Sequence, residues 1–506
     1  MRFKAKHKPF YGIAPVRDDF GKVNGAAVAG NSAQLVAVKI DKGDYYCRDG
    51  HDLSMLVHFL KGTWRIYYSG ESPIFAACDA GATIRSLHRI APNLSEFGDE
   101  STAEDRAFTC YVVAGKMRDS LERMGAYPTD GLTAAVKRIA PKILGIRRHK
   151  GHDILARDSW LYGGRTEVFR EYASVPVKQY DLKSAYAWSY SWPICGEYAE
   201  RTGDIPDDGT DNFFAEVDID IPSSCFVPMV PYRSYDGTMV FPSGRWTTWV
   251  CGPEALLAAQ SGYISKVHQV YRYRESDALQ SLALDIFALR GSTPCPVERS
   301  LCKVLLVSAY GVFATSGTFP VVLVNPKKIP KDGQQIQPGY YRVWESPKDS
   351  PAHVPAAAHI ASRVRARLWA AMTNHETGLY YCDTDSIFIG ASEELSEETG
   401  TGLGQWAPCG DYASGSRWVA PKTYSLGGGA VVKAAGICKE NAREYVQGGT
   451  VTESKMVGFE QTLTRGYTEH LPVTVSLRTD KVSKRRKIDD FSSAPYDVGH
   501  FTEVKS

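Results

Sequence analysis

The sequence predicts a multidomain protein of the α/β and α+β classes, and three observations predict it. The chain has 506 residues, enough for several domains at roughly 100–200 residues each. Strand-like runs and helical periodicities are mixed through the first 150 residues without an internal repeat, the pattern of a sheet with helices packed on it. From 178 onward the texture changes to single strands, long helices and a short β-rich insertion, so a second architecture begins there.

Taken in order, the runs QLVAVKI and TWRIYY read as strands and 103–124 as helix, giving an α/β domain over 1–150. The start, MRFKAKHK, is basic but lacks the apolar stretch of a secretory signal; it fits a phosphate-binding arm or a solvated terminus. Around 145–165 a basic, glycine-containing passage reads as a linker or junction. VKQYD then leads into a helix start, FFAEVDIDI alternates as a strand over 213–221, and helices follow at 253–260 and 277–315. The Pro- and Gly-rich stretch 316–352 predicts a hairpin insertion. A helix at about 355–373 precedes LYYCDTDSIFI, and a short tail from about 438 carries the basic cluster Lys484, Arg485, Arg486 and Lys487.

Composition sets bounds. Apolar content of 43% and charged content of 23% are those of an ordinary globular protein. Lys plus Arg (59) nearly cancels Asp plus Glu (57), so net charge neither announces nor excludes a nucleic-acid partner. The eleven cysteines include no C-x-x-C, which argues against structural zinc or a disulfide framework and for a reducing, cytoplasmic setting. No apolar run approaches the roughly 18 residues that would span a bilayer, so no membrane is expected as a partner.

The most informative stretch is 379–389. Apolar residues flank Asp383, Thr384 and Asp385, the pattern of a tight hairpin with carboxylates at its tip. In extended backbone, side chains two apart share a face, so Asp383 and Asp385 are expected to project together. Two like charges that close repel unless a cation lies between them, and hard oxygen donors suit Mg²⁺. D-x-D alone is also the pattern of a plain polar turn; the aromatic lead and aliphatic exit set this one apart. A third carboxylate lies upstream in QYDLKSAYAWSY, where Asp181 ends a strand. The Leu182 carbonyl is a candidate further ligand, and Ser184 a candidate helix cap. Free N–H groups at that helix start suit a triphosphate, although Asp before a helix is also an ordinary cap.

Between these carboxylates, 298–313 has helical periodicity. Arg299 and Lys303 are one turn apart and Tyr310 two turns further, so all three share one face. Two cations beside a flat ring suit an incoming nucleotide; a solvated basic stripe over a half-buried tyrosine is the plainer alternative.

In this order the elements resemble family B DNA polymerases, most closely the protein-primed, organellar and viral branch. DLKSAYA resembles motif A (D-x-x-S-L-Y-P), CKVLLVSAYG resembles motif B (K-x-x-x-N-S-x-Y-G), and YCDTDS matches the motif C core. Lys422-Thr423-Tyr424 resembles the primer-binding K-x-Y motif, Lys433 stands where the family has a basic residue near the primer end, and Leu161-Tyr162-Gly163-Gly164 resembles the template-guiding Y-x-G-G. The resemblance implies a right-hand polymerase of palm, fingers and thumb behind an RNase H-like exonuclease-type domain. The divisions are 1–150 for that domain, 151–278 and 353–437 for the palm, 279–314 for the fingers, 315–352 for the insertion and 438–506 for a thumb-like tail.

It further implies catalysis by Asp181, Asp383 and Asp385, with two Mg²⁺ ions, or Mn²⁺, on Asp181, Leu182 and Asp385. Nucleotide contacts fall to Ser184, Tyr186, Arg299, Lys303, Tyr310 and Gly311. Primer and template contacts fall to Gly163, Gly164, Arg165, Thr384, Lys422, Tyr424 and Lys433, with the basic tail touching phosphates. The implied partners are primer-template DNA, dNTPs and a terminal priming protein, the enzyme acting as a monomer in the host of a virus or linear plasmid. A catalytically dead DNA-binding subunit and a nucleic-acid-primed polymerase stand as alternatives.

The departures are as informative. Ala185 and Ala187 flank Tyr186 in place of Leu and Pro, and Val307 stands for the motif B Asn. Tyr186 itself is kept; in the family it closes the space of a ribose 2′-OH, which implies deoxynucleotides. The exonuclease carboxylates fall on Ala14, Pro15 and Val16, on Ser69 and Gly70, and on Tyr111 with Gly115, with Asp18 and Asp19 as displaced acids. Loss of metal ligands disables such chemistry, so the first domain is expected not to cut.

Overall fold

The computed structural model describes six strands between residues 10 and 86 and, beyond them, 112–113, 116–127, 132–315, 319–324, 331–338, 340–345, 352–456, 470–476 and 484–502 except 490. The six strands are β1 (Phe10–Arg17), β2 (Val23–Gly30), β3 (Val36–Asp41), β4 (Asp44–Cys47), β5 (Arg65–Tyr68) and β6 (Thr83–Ser86). They form one mixed sheet in the order β4-β3-β2-β1-β5-β6, antiparallel from β4 to β1 and parallel from β1 to β6. Ala14, Pro15 and Val16 stand on β1, opposite Ala27, Ala26 and Gly25. Asp18, Asp19, Ser69, Gly70, Tyr111 and Gly115 lie outside the described residues.

The passage 145–165 is not a linker. Helix α1 (Leu132–Ile139) is followed by a 3-10 turn at Pro141–Gly145, helix α2 (Lys150–Leu155) and a wide turn at Ala156–Trp160. Its basic residues mask an apolar side. Trp160 is buried, its ring stacked on Phe214 at 4.1 Å, and His152 stacks on Tyr271 at 4.5 Å while its Nδ1 meets the Tyr273 hydroxyl at 2.7 Å.

The sheet that carries the site is built from β7 (Thr166–Val168), β9 (Val177–Leu182), β19 (Leu379–Asp383), β20 (Ser386–Gly390) and β21 (Trp406–Tyr412). Its order is β21-β9-β20-β19-β7, antiparallel throughout. Helices α3 (Ala185–Tyr190) and α7 (Val354–Thr373) pack on it. Leu182, Leu379, Ile387, Ile389 and Trp406 from the sheet meet Val364, Leu368 and Met372 of α7 in one core. α7 begins within a residue of where its periodicity predicts it, and its run Ala356-Ala357-Ala358 is fully buried.

A second antiparallel sheet joins β10 (Ile194–Thr202), β11 (Phe213–Ile221), β14 (Gly244–Cys251) and β15 (Ile264–Ser276), beside a small pair, β12 (Tyr232–Arg233) and β13 (Met239–Val240). The alternation read in FFAEVDIDI holds: Val217, Ile219 and Ile221 face the core with Ala255 and Ala258 of α4 (Gly252–Gln260), while Glu216, Asp218 and Asp220 stand on the other face. α5 (Gln280–Ser292) and α6 (Pro296–Phe313) form a helical pair whose apolar faces meet α1 and the start of α7.

The insertion is three-stranded rather than a hairpin. β16 (Phe319–Val324), β17 (Gln334–Gln337) and β18 (Tyr340–Glu345) lie in the order β16-β18-β17. The Pro338-Gly339 dipeptide is a turn signal, and it separates β17 from β18, adding the unforeseen strand. Beyond the central sheet, β8 (Tyr172–Ala173), β22 (Ser416–Ala420), β23 (Thr423–Leu426) and β24 (Val431–Ala434) form a four-stranded sheet, followed by α8 (Lys439–Val446) and a pair, β25 (Val451–Met456) and β26 (His470–Val475). The last pair is β27 (Arg485–Lys487) with β28 (Ser493–Pro495).

Candidate active site

The hairpin forms where the pattern placed it. Asp383 pairs with Ser386, so Thr384 and Asp385 make a two-residue connection, and Thr384 takes φ 61°, the positive value that tight hairpin turns call for. That turn changes one expectation. Asp383 ends a strand and Asp385 lies inside the turn, so strict alternation no longer puts their side chains on one face.

Asp181 arrives from the neighbouring strand. Ser386 lies opposite Asp181 across β20 and β9, and the Leu182 N–H donates to the Asp385 carbonyl at 2.6 Å. The two carboxylates feel each other. Burial, with Asp181 and Asp383 as nearby negative charges, pushes Asp385 from its ordinary 3.8 to about 7. Burial also raises Asp181, opposed by the cations of Lys183, Lys303 and Lys433. Asp383 is ion-paired with the Lys422 ammonium instead. Accordingly, among the described residues no group of three or more His, Cys, Asp or Glu side chains gathers as a metal cluster. The donor set at the tip is two carboxylates with backbone oxygens nearby. Its chemistry fits divalent cations: hard oxygens, half-buried, with a mutual repulsion that a cation relieves.

Helix α6 presents Arg299, Lys303 and Val307 as exposed residues at successive turns, so the position where motif B has Asn continues the basic line. The Arg299 guanidinium donates to the Thr293 carbonyl at 2.8 Å. Tyr310 stacks on Tyr186, ring centroids 4.3 Å apart and planes at 12°. Burial, then Tyr310, raises the Tyr186 hydroxyl. Next to them, no atom stands within 4 Å of where a Cβ on Gly311 would sit.

Ser184 is not a cap. It adopts φ 50° and ψ 50° with no side-chain capping bond, because the chain must turn sharply from β9 into a six-residue helix. Its hydroxyl instead accepts from Arg290 Nη1 at 3.1 Å. Arg290 went unnoticed in the sequence; its only signal is a basic residue in the last turn of α5.

On the other side of the tip, Lys422 has φ 61° and its N–H donates to the Tyr381 hydroxyl at 2.7 Å. Tyr424 is buried beside Tyr381 and Phe388, with ring centroids at 5.7 and 5.8 Å. Lys433 pairs opposite Tyr424 in register and holds its ammonium 5.7 Å from that ring. Lys422 and Lys433 are exposed, so this sheet offers two cations on an aromatic base.

The segment 161–165 is clamped to the hairpin. A Cβ on Gly164 would lie 2.5 Å from the Thr384 methyl, and the Arg165 carbonyl accepts from the Thr384 N–H at 2.6 Å. The Tyr162 and Gly163 carbonyls accept from the Arg365 guanidinium at 2.7 and 3.0 Å. The Arg165 side chain, expected at the template, is turned into the interior. It is 1% exposed, bound to Glu167 at 2.6 Å and stacked on Phe241 at 3.9 Å. In the basic tail, Lys484 bonds Thr166 and Arg485 is buried on Glu167, whereas Arg486 and Lys487 are exposed, Lys487 pairing with Glu171 at 2.5 Å.

Residues 157–342 match the family described as DNA polymerase type B, organellar and viral. Over this segment, a little over a third of the chain, the sequence is similar to the organellar and viral type B DNA polymerases. The family match and the fold likeness together support a DNA-directed DNA polymerase. No curated protein matches it. Among solved structures, Phi29 DNA polymerase with primer-template DNA and incoming nucleotides is similar at TM-score 0.66 and 14% identity, over 93% of this chain and 100% of that one. An orthorhombic crystal form of Phi29 DNA polymerase gives 0.64 at the same identity and coverage. At that identity the likeness is one of fold: a multidomain right-hand polymerase. Among the described residues no helix is long and apolar enough to cross a membrane.

Proposed function

We propose that the polymerase extends a primer 3′-hydroxyl with dNTPs at the tip of the β19–β20 hairpin, using two divalent ions. The observation that carries this is the register of Ser386 opposite Asp181, which brings the Asp181 and Asp385 carboxylates together within the electrostatic reach of Lys303 on α6. Asp181 and Asp385, with the Leu182 carbonyl, would hold Mg²⁺ or Mn²⁺. Held there, such ions would lower the pKa of the attacking hydroxyl and neutralise charge on the leaving oxygen.

The chain's own residues supply the rest. Arg299 and Lys303 bind the triphosphate, and Ser184, steadied by Arg290, borders it. Tyr310 and the open surface at Gly311 pack the nascent pair, and Tyr186 fills the space beside the sugar C2′. Lys422, Tyr424 and Lys433 hold the primer backbone through salt-sensitive contacts. Asp383 fixes the Lys422 ammonium, and Gly163, Gly164 and Thr384 border the template path. In this scheme 151–278 and 353–437 act as palm, 279–314 as fingers, 315–352 as an insertion and 438–506 as thumb-like tail.

Two finer readings belong to the same proposal. Replication starts on the hydroxyl of a terminal protein, a start that the fold likeness to Phi29 DNA polymerase supports, and the polymerase acts as a monomer in the host of a virus or linear plasmid. The N-terminal domain is an RNase H-like, exonuclease-type unit that does not cut, because β1 offers Ala14, Pro15 and Val16 where carboxylates are required. Digestion of labelled single-stranded DNA by the wild type, lost when Asp18 and Asp19 become Ala, would refute it.

Primer extension in Mg²⁺ on a defined template, with and without an oligonucleotide primer, tests the whole. Asp385→Ala should abolish incorporation and leave DNA binding intact. Incorporation retained by that variant would end the assignment.

A further inference from the structure

Strand β7 is only three residues long and lies at the edge of the catalytic sheet, with Thr166 opposite Asp383, Glu167 opposite Cys382 and Val168 opposite Tyr381. Three residues give little cohesion of their own. What holds the strand comes from the other end of the chain. The Lys484 ammonium donates to the Thr166 carbonyl at 2.8 Å and to its hydroxyl at 3.0 Å. Arg485 donates to Glu167 Oε1 at 3.1 Å, while Arg165 donates to Oε2 at 2.7 Å. Ser493 accepts from Arg485 Nε at 2.8 Å and donates to the Phe169 carbonyl at 2.6 Å.

This junction is interior rather than surface. Glu167, Arg165 and Arg485 are 0%, 1% and 4% exposed. A carboxylate shared by two guanidiniums in that setting fixes geometry strongly, since removing one partner leaves a buried charge incompletely matched. One end of the junction touches the catalytic turn and the other reaches it through Thr166. Arg165 passes its carbonyl to the Thr384 N–H at 2.6 Å, and Lys484 grips the residue that pairs with Asp383.

We infer that Lys484 and Arg485 are positioning residues for catalysis: through Thr166 and Glu167 they hold β7 against β19, and so hold the Asp383-Thr384-Asp385 turn at Asp181. Neither residue needs to touch DNA. The inference rests on the polymerase reading of this site, and it reverses the phosphate-gripping role that a basic cluster suggests.

The test uses the full chain as wild type, Lys484→Met, Lys484→Arg and Ser493→Ala. Three quantities are read: kcat at saturating primer-template, Kd for primer-template, and Mg²⁺ affinity by calorimetry without DNA. In Lys484→Met, kcat should fall about tenfold to a hundredfold, the scale of a misplaced reacting group. Mg²⁺ affinity should weaken alongside it, with Kd for DNA unchanged. Lys484→Arg, which keeps a donor for Thr166, should recover most of both losses. Ser493→Ala should show a milder version with a melting temperature near wild type, which separates misplacement from unfolding. Wild-type kcat and Mg²⁺ affinity in Lys484→Met and Ser493→Ala would overturn the inference. So would weakened DNA binding with kcat intact. A wild type that binds Mg²⁺ but extends no primer would instead count against the polymerase reading, and the calorimetric comparison would still judge the role of Lys484.

Discussion

Tyr186 lies flat against Tyr310, their ring centroids 4.3 Å apart and their planes 12° from parallel. One ring comes from the helix after Asp181 and the other from α6, below Arg299 and Lys303. The stack therefore joins the carboxylate side of the site to its cationic side.

From that contact comes the first prediction. On the proposed reading of the site, Tyr186→Val removes the ring and would open space beside the nucleotide sugar, so the preference for dNTP over rNTP in kcat/KM should fall about tenfold to a hundredfold, the range a lost steric contact supplies. Tyr186→Phe keeps the ring and should keep the preference. An unchanged ratio in the valine variant would remove Tyr186 from substrate selection.

The second concerns pH. The Asp385 carboxyl is raised from 3.8 to about 7 by burial and by the charges of Asp181 and Asp383. A raised acid favours the folded state while protonated, so its contribution is complete below the unfolded value and is lost as pH climbs through the folded one. In EDTA, the melting temperature should fall as pH rises across about 4 to 7, and Asp385→Asn should flatten that fall. Mg²⁺ competes with the proton, so added Mg²⁺ should restore stability chiefly at the upper end of the window. A metal-free wild type whose stability matches Asp385→Asn at every pH in this range would contradict the raised carboxyl.

Gly164 supports a third. A Cβ there would lie 2.5 Å from Thr384 Cγ2 and 2.9 Å from its Oγ1, and Thr384 is itself held in a left-handed turn. With little freedom to move aside, the turn should yield. Gly164→Ala should cost about 1–3 kcal/mol in urea unfolding, the usual penalty of overpacking, and should lower kcat. Gly163→Ala meets nothing within 4 Å and should leave stability unchanged. Equal stability of the two variants would show that the hairpin tip does not rest on Gly164.

Which parts were legible follows from what a sequence pattern encodes. Alternation and a polar break give the β19–β20 hairpin, and 3.6-residue periodicity gives α6 and α7, because each is a local burial pattern. The meeting of Asp181 with Asp385 was inferred from their chemistry, and it stands through sheet register. The inward pairing of Arg165, Lys484 and Arg485 is not legible in the sequence. A cation is judged by its neighbours, and nothing in the sequence shows that Glu167 lies buried between two arginines. Ser184 was misread for a related reason: its left-handed backbone is imposed by the turn out of β9, not by its own preference. β7 has no period at three residues and could not be seen at all.

The last prediction concerns Glu254 and Arg365, which fasten α4 to α7 and hold the loop before β7. Arg365 donates to Glu254 Oε1 at 2.8 Å and Oε2 at 2.7 Å, and the Ser362 hydroxyl donates to Oε2 at 2.7 Å. Both side chains are almost fully buried, at 2% and 3% exposed. A pair so enclosed gives modest net stability but punishes the loss of either member, because the survivor keeps its charge away from water. Arg365→Met should cost about 3–5 kcal/mol in urea unfolding, and Glu254→Met a similar amount. The double variant should cost clearly less than the two losses added together, since it leaves no stranded charge. Arg365 also anchors the Tyr162 and Gly163 carbonyls, so a residual deficit in the double variant should appear as lowered kcat with the hairpin less well held. Additive losses would mean that the two charges are stabilised independently of each other.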